Sequence, residues 1–586
     1  MNKSFFKSNY FTIIIFIILC LMFTSPIFAN NNVGIFDWDV HLSWSFLTEK
    51  SIKEHQQIPL WSPYYCGGAP LHEHPLGMWL YPLFFVNLLF GPLIGFKIQI
   101  FLHLFIAMLG MYFLSKYIKI SWPHNLLPSI ILAFSSIFVS FATGGFTEWF
   151  SGMLLPWIFL FYLKSFKNKK YWFLTSLFIT FIFFSGGIYN LAFIVIFLII
   201  YSIFRSFKER KIFPITGLIV IIIFVILIGA IKFTPAIPYV YSHPRVTTTD
   251  WYTSYDLLYN SLLNRDQTIF ADKEQTVFTH YAVPPPGQNE QGIFWWEQSA
   301  YVGIIPVALF IIGIFLCWRK RWPLIVTAII FLDIILDNAA PIPIYPALHA
   351  LPLMEFLRVP QRFLIIFVFI LALISGLSLQ KICHRFSYKK ALIPTIVILL
   401  ITIDLMLVSR PVFEDAFTMT PDNISMSQDF YQTQALVLNP KIAPRNTNFL
   451  EYYMNNKGLI NCFDGLPYSV STIPYNSVKY KGEHYLEQES GSINLVYFSS
   501  NKVTVNINTN QEDKAIINQN YKDGWRVYGS VDNNASAYNG LISTSVNKST
   551  NNVTFYYLPN KFLKGSLVSI ITFLIIIFVS RRKWPN

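Results

Sequence analysis

The chain has 586 residues, of which 54% are hydrophobic, 18% aromatic and only 13% charged. A soluble globular domain carries about 25% charged residues, so a soluble enzyme, a disordered chain and a coiled coil are all excluded, and a polytopic membrane protein remains. The net charge of +13 does not indicate a nucleic-acid partner, because the Lys and Arg fall in short clusters between apolar runs rather than on one basic face.

A spanning helix needs roughly 20 mostly apolar residues. In chain order, twelve segments are predicted to span, at about 11–29, 97–116, 125–142, 150–164, 171–187, 188–204, 212–232, 299–318, 322–338, 362–380, 391–409 and 563–580. Every second junction is basic, starting from Lys3 and Lys7. The series continues through Lys116/Lys119, Lys164/Lys167/Lys169/Lys170, Arg205/Lys208/Arg210/Lys211, Arg319/Lys320/Arg321 and Lys381/Arg385/Lys389/Lys390, and ends at Arg581/Arg582/Lys583. The positive-inside rule then places both termini in the cytoplasm. Residues 1–30 also admit a signal-peptide reading with a cleavage site at Ile27-Phe28-Ala29, but the apolar run exceeds the usual 7–15 residues, so an uncleaved first helix is expected.

Three outer segments are large. A first outer loop, 30–96, is rich in Trp, His, Pro and Gly. A second, 233–298, holds Pro284-Pro285-Pro286-Gly287 and a Trp pair. A third, 410–562, is rich in Asn, Ser and Thr and has strand-like alternation at Val503–Ile507 and Asn552–Tyr556. The expected organisation is a transmembrane module (1–409), an extracytoplasmic β-rich domain (410–562), and a last helix with a basic tail (563–586). Cys20, Cys66, Cys317, Cys383 and Cys462 are odd in number and scattered, so neither a disulfide framework nor a zinc spacing can be read from them.

Asp37 and Asp39 follow the first helix directly. If that stretch is extended they project to one side, and if it is helical, Asp37 and His41 share a face instead. Either way Phe36 and Trp38 can desolvate a carboxylate, which raises its pKa and suits it to proton transfer. The bland alternative is a solvated pair of interfacial acids. His72-Glu73-His74, bracketed by Pro70 and Pro75, lines a polar cleft in the favoured reading. With Asp37 and Asp39 the two histidines could also contribute to a divalent-metal site, although no fixed ligand spacing is matched.

The Asp37-Trp38-Asp39 motif, Pro59-Leu60-Trp61 running on to Gly67-Gly68-Ala69-Pro70, and Tyr81-Pro82 together resemble the first outer loop of GT-C glycosyltransferases. Within that superfamily the chain is most similar to the YfhO group of bacterial membrane proteins. The narrower likeness rests on Trp296-Glu297-Gln298-Ser299-Ala300-Tyr301-Val302-Gly303, Phe356-Leu357-Arg358-Val359-Pro360-Gln361-Arg362, Gly524-Trp525 and Tyr557-Leu558-Pro559-Asn560-Lys561-Phe562. The resemblance implies a GT-C-like helical fold in the bacterial cytoplasmic (inner) membrane, with its active face extracytoplasmic. It also implies transfer of a sugar from a polyprenyl-phosphate donor to an envelope glycan or lipid. An acidic residue of the first loop would serve as base or help hold a metal, and this carries over to Asp37 and Asp39.

Other residues fit such chemistry. Arg358 and Arg362, four apart at the predicted outer end of the tenth helix, would share a face and match phosphate oxygens. Anchoring to phospholipid headgroups is the competing role. Arg245 and Lys232 are weaker cationic candidates. Trp296 and Glu297, and likewise Glu148-Trp149, could stack on a sugar and bond its hydroxyls, against a plain interfacial-belt role. Asp333 and Asp404 lie within predicted spans, where carboxylates are costly and functional by default. They raise the alternative of a transporter or flippase for lipid-linked saccharides. A non-catalytic envelope-assembly protein is the third reading.

Overall fold

The computed structural model describes residues 9–243, 253–267, 295–352, 354–385, 391–420, 429–435, 447–462 and 469–581. Arg245 and the Pro284–Gly287 run lie outside them. The chain is mostly helical, with a β-rich region just before its last helix.

Eight helical stretches among the described residues are long and apolar enough to cross a membrane. A ninth follows if Phe213–Ile228 and Ala230–Ser242, bent by 84°, form one broken span. Twelve were expected, and the differences have local causes. The 125–142 segment still counts as one span, Leu126–Thr143, although it breaks at Ser135 into Leu126–Phe134 and Ser136–Thr143. The 150–164 segment starts as a 3-10 turn, Thr147–Leu154, before the short helix Leu155–Ser165. Tyr171–Phe184 has only 14 residues.

The 299–318 and 322–338 segments merge into one helical run, Ile304–Leu336. As a straight rod its 33 residues would reach about 50 Å, well beyond the ~30 Å hydrocarbon layer. Its contacts are instead those of two opposed arms. Gly313 packs on Ile374 and Ser378, and the Leu316 carbonyl accepts from Lys381 farther along the Leu364–Arg385 helix. Phe331 nevertheless touches Phe363, at that helix's beginning. The reversal falls at Arg319-Lys320-Arg321 and Pro323.

Leu364–Arg385 is the central helix. Every residue from Leu364 to Leu379 is buried, as an all-round apolar helix must be unless lipid covers it. Leu126–Thr143 beside it is wholly buried, while Asn560–Phe578 at the periphery buries only 17% of its residues. The basic clusters collect at one end of this bundle: Gln380 donates to the Lys119 carbonyl, Arg321 to that of Ile118 and Lys208 to that of Lys320.

The β region has two four-stranded antiparallel sheets. One has the order β4 (Gly491–Ser499), β5 (Lys502–Thr509), β10 (Asn552–Tyr557), β7 (Trp525–Tyr528). The other has the order β3 (His484–Leu486), β6 (Asp513–Asn520), β9 (Leu541–Val546), β8 (Ser536–Tyr538). Strand β5 alternates as expected, burying Val503, Val505 and Ile507 while Asn506 is exposed. A parallel pair, β1 (Tyr431–Thr433) and β2 (Lys457–Leu459), precedes them with the short helix Phe449–Met454 between.

This region does not pack alone. Leu60 and Trp61 of the first outer segment sit in the core between the sheets, and Trp61 Nε1 donates to Gln519 at 2.8 Å. Asn520 donates to the carbonyls of Cys66 and Gly68. A Cys66–Cys462 disulfide, closing 396 residues, completes the join. That link corrects the sequence reading of the cysteines: an odd count and so long a separation hide a pair that only the fold brings together.

Candidate active site

At the end of the bundle opposite the basic clusters, four segments converge on Glu148. They are Phe36–His41, Thr147–Trp149, Trp296–Glu297 and Arg358–Arg362. Asp37 precedes the helix Trp38–Lys53 but makes no side-chain cap to it, and its backbone N–H donates to the Gly144 carbonyl at 3.3 Å. Gly145, at φ +86°, allows that approach, because a Cβ there would lie 2.4 Å from the Trp38 nitrogen.

The electrostatic neighbours of Glu148 include Asp37, Arg362 and Arg358, and His41 Nε2 stands 3.4 Å from its carboxylate. Burial, with Asp37's charge adding to it, pushes the Glu148 carboxyl up to about 7, against the pull of the arginines. Burial, with His74 adding, pushes the His41 imidazole down to about 3. The contact is therefore not an ion pair: desolvation drives both members toward neutrality. Thr147 Oγ1 lies 2.9 Å from His41 Nδ1 and orients the ring.

Arg362 is only 2% exposed and pairs with Glu297, while Arg358 stands 3.9 Å from the same carboxylate. The guanidinium of Arg362 lies over Tyr189 at 4.7 Å and Trp149 at 5.3 Å. Among the described residues no acceptor takes its Nε or Nη1. The expected shared helix face of the two arginines is corrected. Val359 between them is at φ +56° and Pro360–Phe363 is a 3-10 turn, so helical spacing does not apply. A buried β-branched residue at positive φ is a costly conformation held by its surroundings. Phe36, at φ +50°, is the counterpart on the acidic side, and its ring packs 4.7 Å from that of Trp296.

Asp39 has a different place. Fully buried, it accepts from Thr447 Oγ1 and from the backbone N–H groups of Phe449 (2.7 Å) and Leu450 (3.2 Å). It holds the start of Phe449–Met454, and these three bonds engage both of its carboxylate oxygens. His72 is likewise structural: Nδ1 meets the Leu60 carbonyl at 2.9 Å, and the ring packs on Tyr557 and Phe562. Its buried Nε2 stands 3.9 Å from Glu73 and meets no hydrogen-bond partner among the described residues.

His74 is an electrostatic neighbour of His41, and Glu73 follows His72 in the chain. His74 packs on Trp44 at 4.5 Å and Tyr239 at 6.2 Å, and Glu73 binds Lys522 of the β region at 2.6 Å. Sequence reasoning missed Thr147, Tyr189 and Lys522. The only signal for the last was its place two residues before Gly524-Trp525.

The metal reading fails on its donor set. Asp39 and His72 are turned to structural partners, and no group of three or more His, Cys, Asp or Glu side chains among the described residues could hold an ion. The candidate polar groups elsewhere are explained too. Lys232 clamps the carbonyls of Gly77 and Phe183, both at 2.6 Å. Asp404 pairs with Arg265 and accepts from Tyr301 Oη at 2.7 Å. Asp333 lies 3.4 Å from the backbone N–H groups of Ile342 and Ile344.

A family model described as "6-pyruvoyl-tetrahydropterin synthase related domain; membrane protein" matches residues 75–412, more than half of the chain. The chain belongs to that family. The matched stretch carries Glu148, Glu297, Arg358 and Arg362 and leaves Asp37 and the β region outside. No curated protein matches the chain. Among solved structures, the mycobacterial arabinofuranosyltransferase AftD, seen by single-particle cryo-EM, is similar at 12% identity with a TM-score of 0.44. The likeness covers 70% of this chain and 27% of that one.

Proposed function

We propose that this membrane protein is a YfhO-like GT-C glycosyltransferase, moving a sugar from a polyprenyl-phosphate donor to an envelope glycan or lipid at the extracytoplasmic end of the cleft. The observation that carries the reading is the meeting of Asp37, His41, Glu148, Glu297, Arg358 and Arg362, drawn from four segments far apart in sequence, at the end remote from the basic clusters. The positive-inside rule assigns that basic end to the cytoplasm.

In this reading Asp37 takes the proton of the acceptor hydroxyl as its oxygen bonds to the anomeric carbon. The bond from that carbon to the donor phosphate breaks with oxocarbenium character, by analogy with glycosidases. The leaving lipid phosphate gains negative charge, which the unfilled edge of Arg362 and the nearby Arg358 stabilise. Glu297 positions Arg362, and the neutral His41–Glu148 pair offers hydrogen bonds to sugar hydroxyls. With Asp404 and Asp333 tied to structural partners, transport through intramembrane carboxylates has less support than transfer.

Mass spectrometry of lipid-linked sugars and envelope glycans tests this in deletion, wild-type, Asp37→Asn and Arg362→Gln strains. Both variants should insert normally, lose product by about 10²-fold or more and accumulate donor lipid. Wild-type product levels in Asp37→Asn would overturn the assignment.

A further inference from the structure

The basic end of the bundle holds a site that the proposed transfer does not use. A cavity opens where Ile188–Glu209 ends beside the reversal of Ile304–Leu336. Tyr201, Arg205, Lys320 and Arg321 line it above an apolar wall that includes Phe159 and Leu373. Backbone carbonyls hold its rim: Arg321 donates to Ile118 at 2.7 Å and Lys208 to Lys320.

Arg205 pairs with Glu209 and lies 5.8 Å over the Phe166 ring, and its buried Nε meets no acceptor among the described residues. Around this cavity Arg205, Lys208, Lys320 and Arg321 are balanced by one described acid, Glu209. Cations gathered so closely against an apolar wall repel one another in a medium that screens poorly, so a counter-charge would stabilise the cluster. Phe207 and Ile212, near Arg205 in sequence, are 71% and 70% exposed and add an apolar rim.

We propose that this cavity binds the phosphate of an anionic phospholipid headgroup from the leaflet at the basic end. The guanidinium forks of Arg205 and Arg321 take the phosphate oxygens, and Lys320 closes the site from the water side. Phosphate itself is the shared chemistry, and the apolar wall and rim select the lipid source over a soluble one.

Native mass spectrometry of the intact, delipidated protein in neutral detergent decides the matter, using phosphatidylglycerol, phosphatidylcholine of the same chains, and inorganic phosphate as probes. Wild type should retain phosphatidylglycerol over phosphatidylcholine by about fivefold or more. Arg205→Gln/Arg321→Gln should abolish that preference, and the exposed Lys320→Gln, which leaves the packing untouched, should reduce it at least about twofold. Arg319→Gln, a neighbouring cation that does not line the cavity, should leave it unchanged. The proposal falls if Lys320→Gln binds as wild type, if Arg319→Gln weakens binding equally, or if millimolar inorganic phosphate displaces the lipid.

Discussion

Two carboxylates two residues apart have opposite fates: Asp39 is fully buried and Asp37 only half-buried. Asp39 accepts from two backbone N–H groups and a hydroxyl, whereas Asp37 is an electrostatic neighbour of Glu148. Glu148 supplies a test of that environment. Its pKa is raised from about 4.5 to about 7, so between these values the unfolded chain releases a proton that the folded chain keeps. Stability therefore falls as pH rises through that window, by on the order of 3 kcal/mol for this group, and is unaffected by it below about pH 4.5. Thermal unfolding at pH 5 and pH 8 should show a smaller pH 8 penalty in Glu148→Gln than in wild type. An unchanged pH dependence would mean that Glu148 is ionised at neutral pH in the folded protein.

At the scale of elements, the helix Phe449–Met454 has only six residues and depends on a partner for its orphan N–H groups. Asp39 provides one from more than 400 positions away. Asp39→Ala should lower stability by about 2–3 kcal/mol and expose the 449–454 segment to protease, with activity retained at low temperature. Asp37→Asn should do the reverse, unfolding like wild type but without product. A stable but inactive Asp39→Ala would restore Asp39 as the base. The same element-level view explains the long helical run Ile304–Leu336: both of its expected halves were legible as apolar segments with a basic turn between them, and its contacts are those of two opposed arms.

For the whole molecule, the first outer segment is shared property. It supplies Asp37 and His41 to the cleft, Leu60 and Trp61 to the core between the sheets, and Cys66 to the disulfide with Cys462. Loss of the β region should therefore disturb the cleft as well. Cleavage by protease in the second outer segment should leave fragments that stay together on a non-reducing gel and separate on reduction. Cys66→Ser should make them separate without reductant and lower the melting temperature, since a cross-link over so long a loop contributes about 2–4 kcal/mol. Fragments of the unreduced wild type that separate under denaturing conditions would exclude the link.

The sequence by itself determined the membrane class, most of the spanning segments, the basic junctions, the β region and the aromatic, acidic segment after the first helix. These are properties of composition and of short periods, which a window of about 20 residues contains in full. Only the tertiary structure decided that Asp39 bonds the start of Phe449–Met454 while Asp37 lies near Glu148, that Arg362 reaches Glu297, that His72 Nδ1 meets Leu60, and that Cys66 meets Cys462. Each of those outcomes depends on which distant backbone or side chain satisfies a buried polar group, and no local pattern encodes that partner.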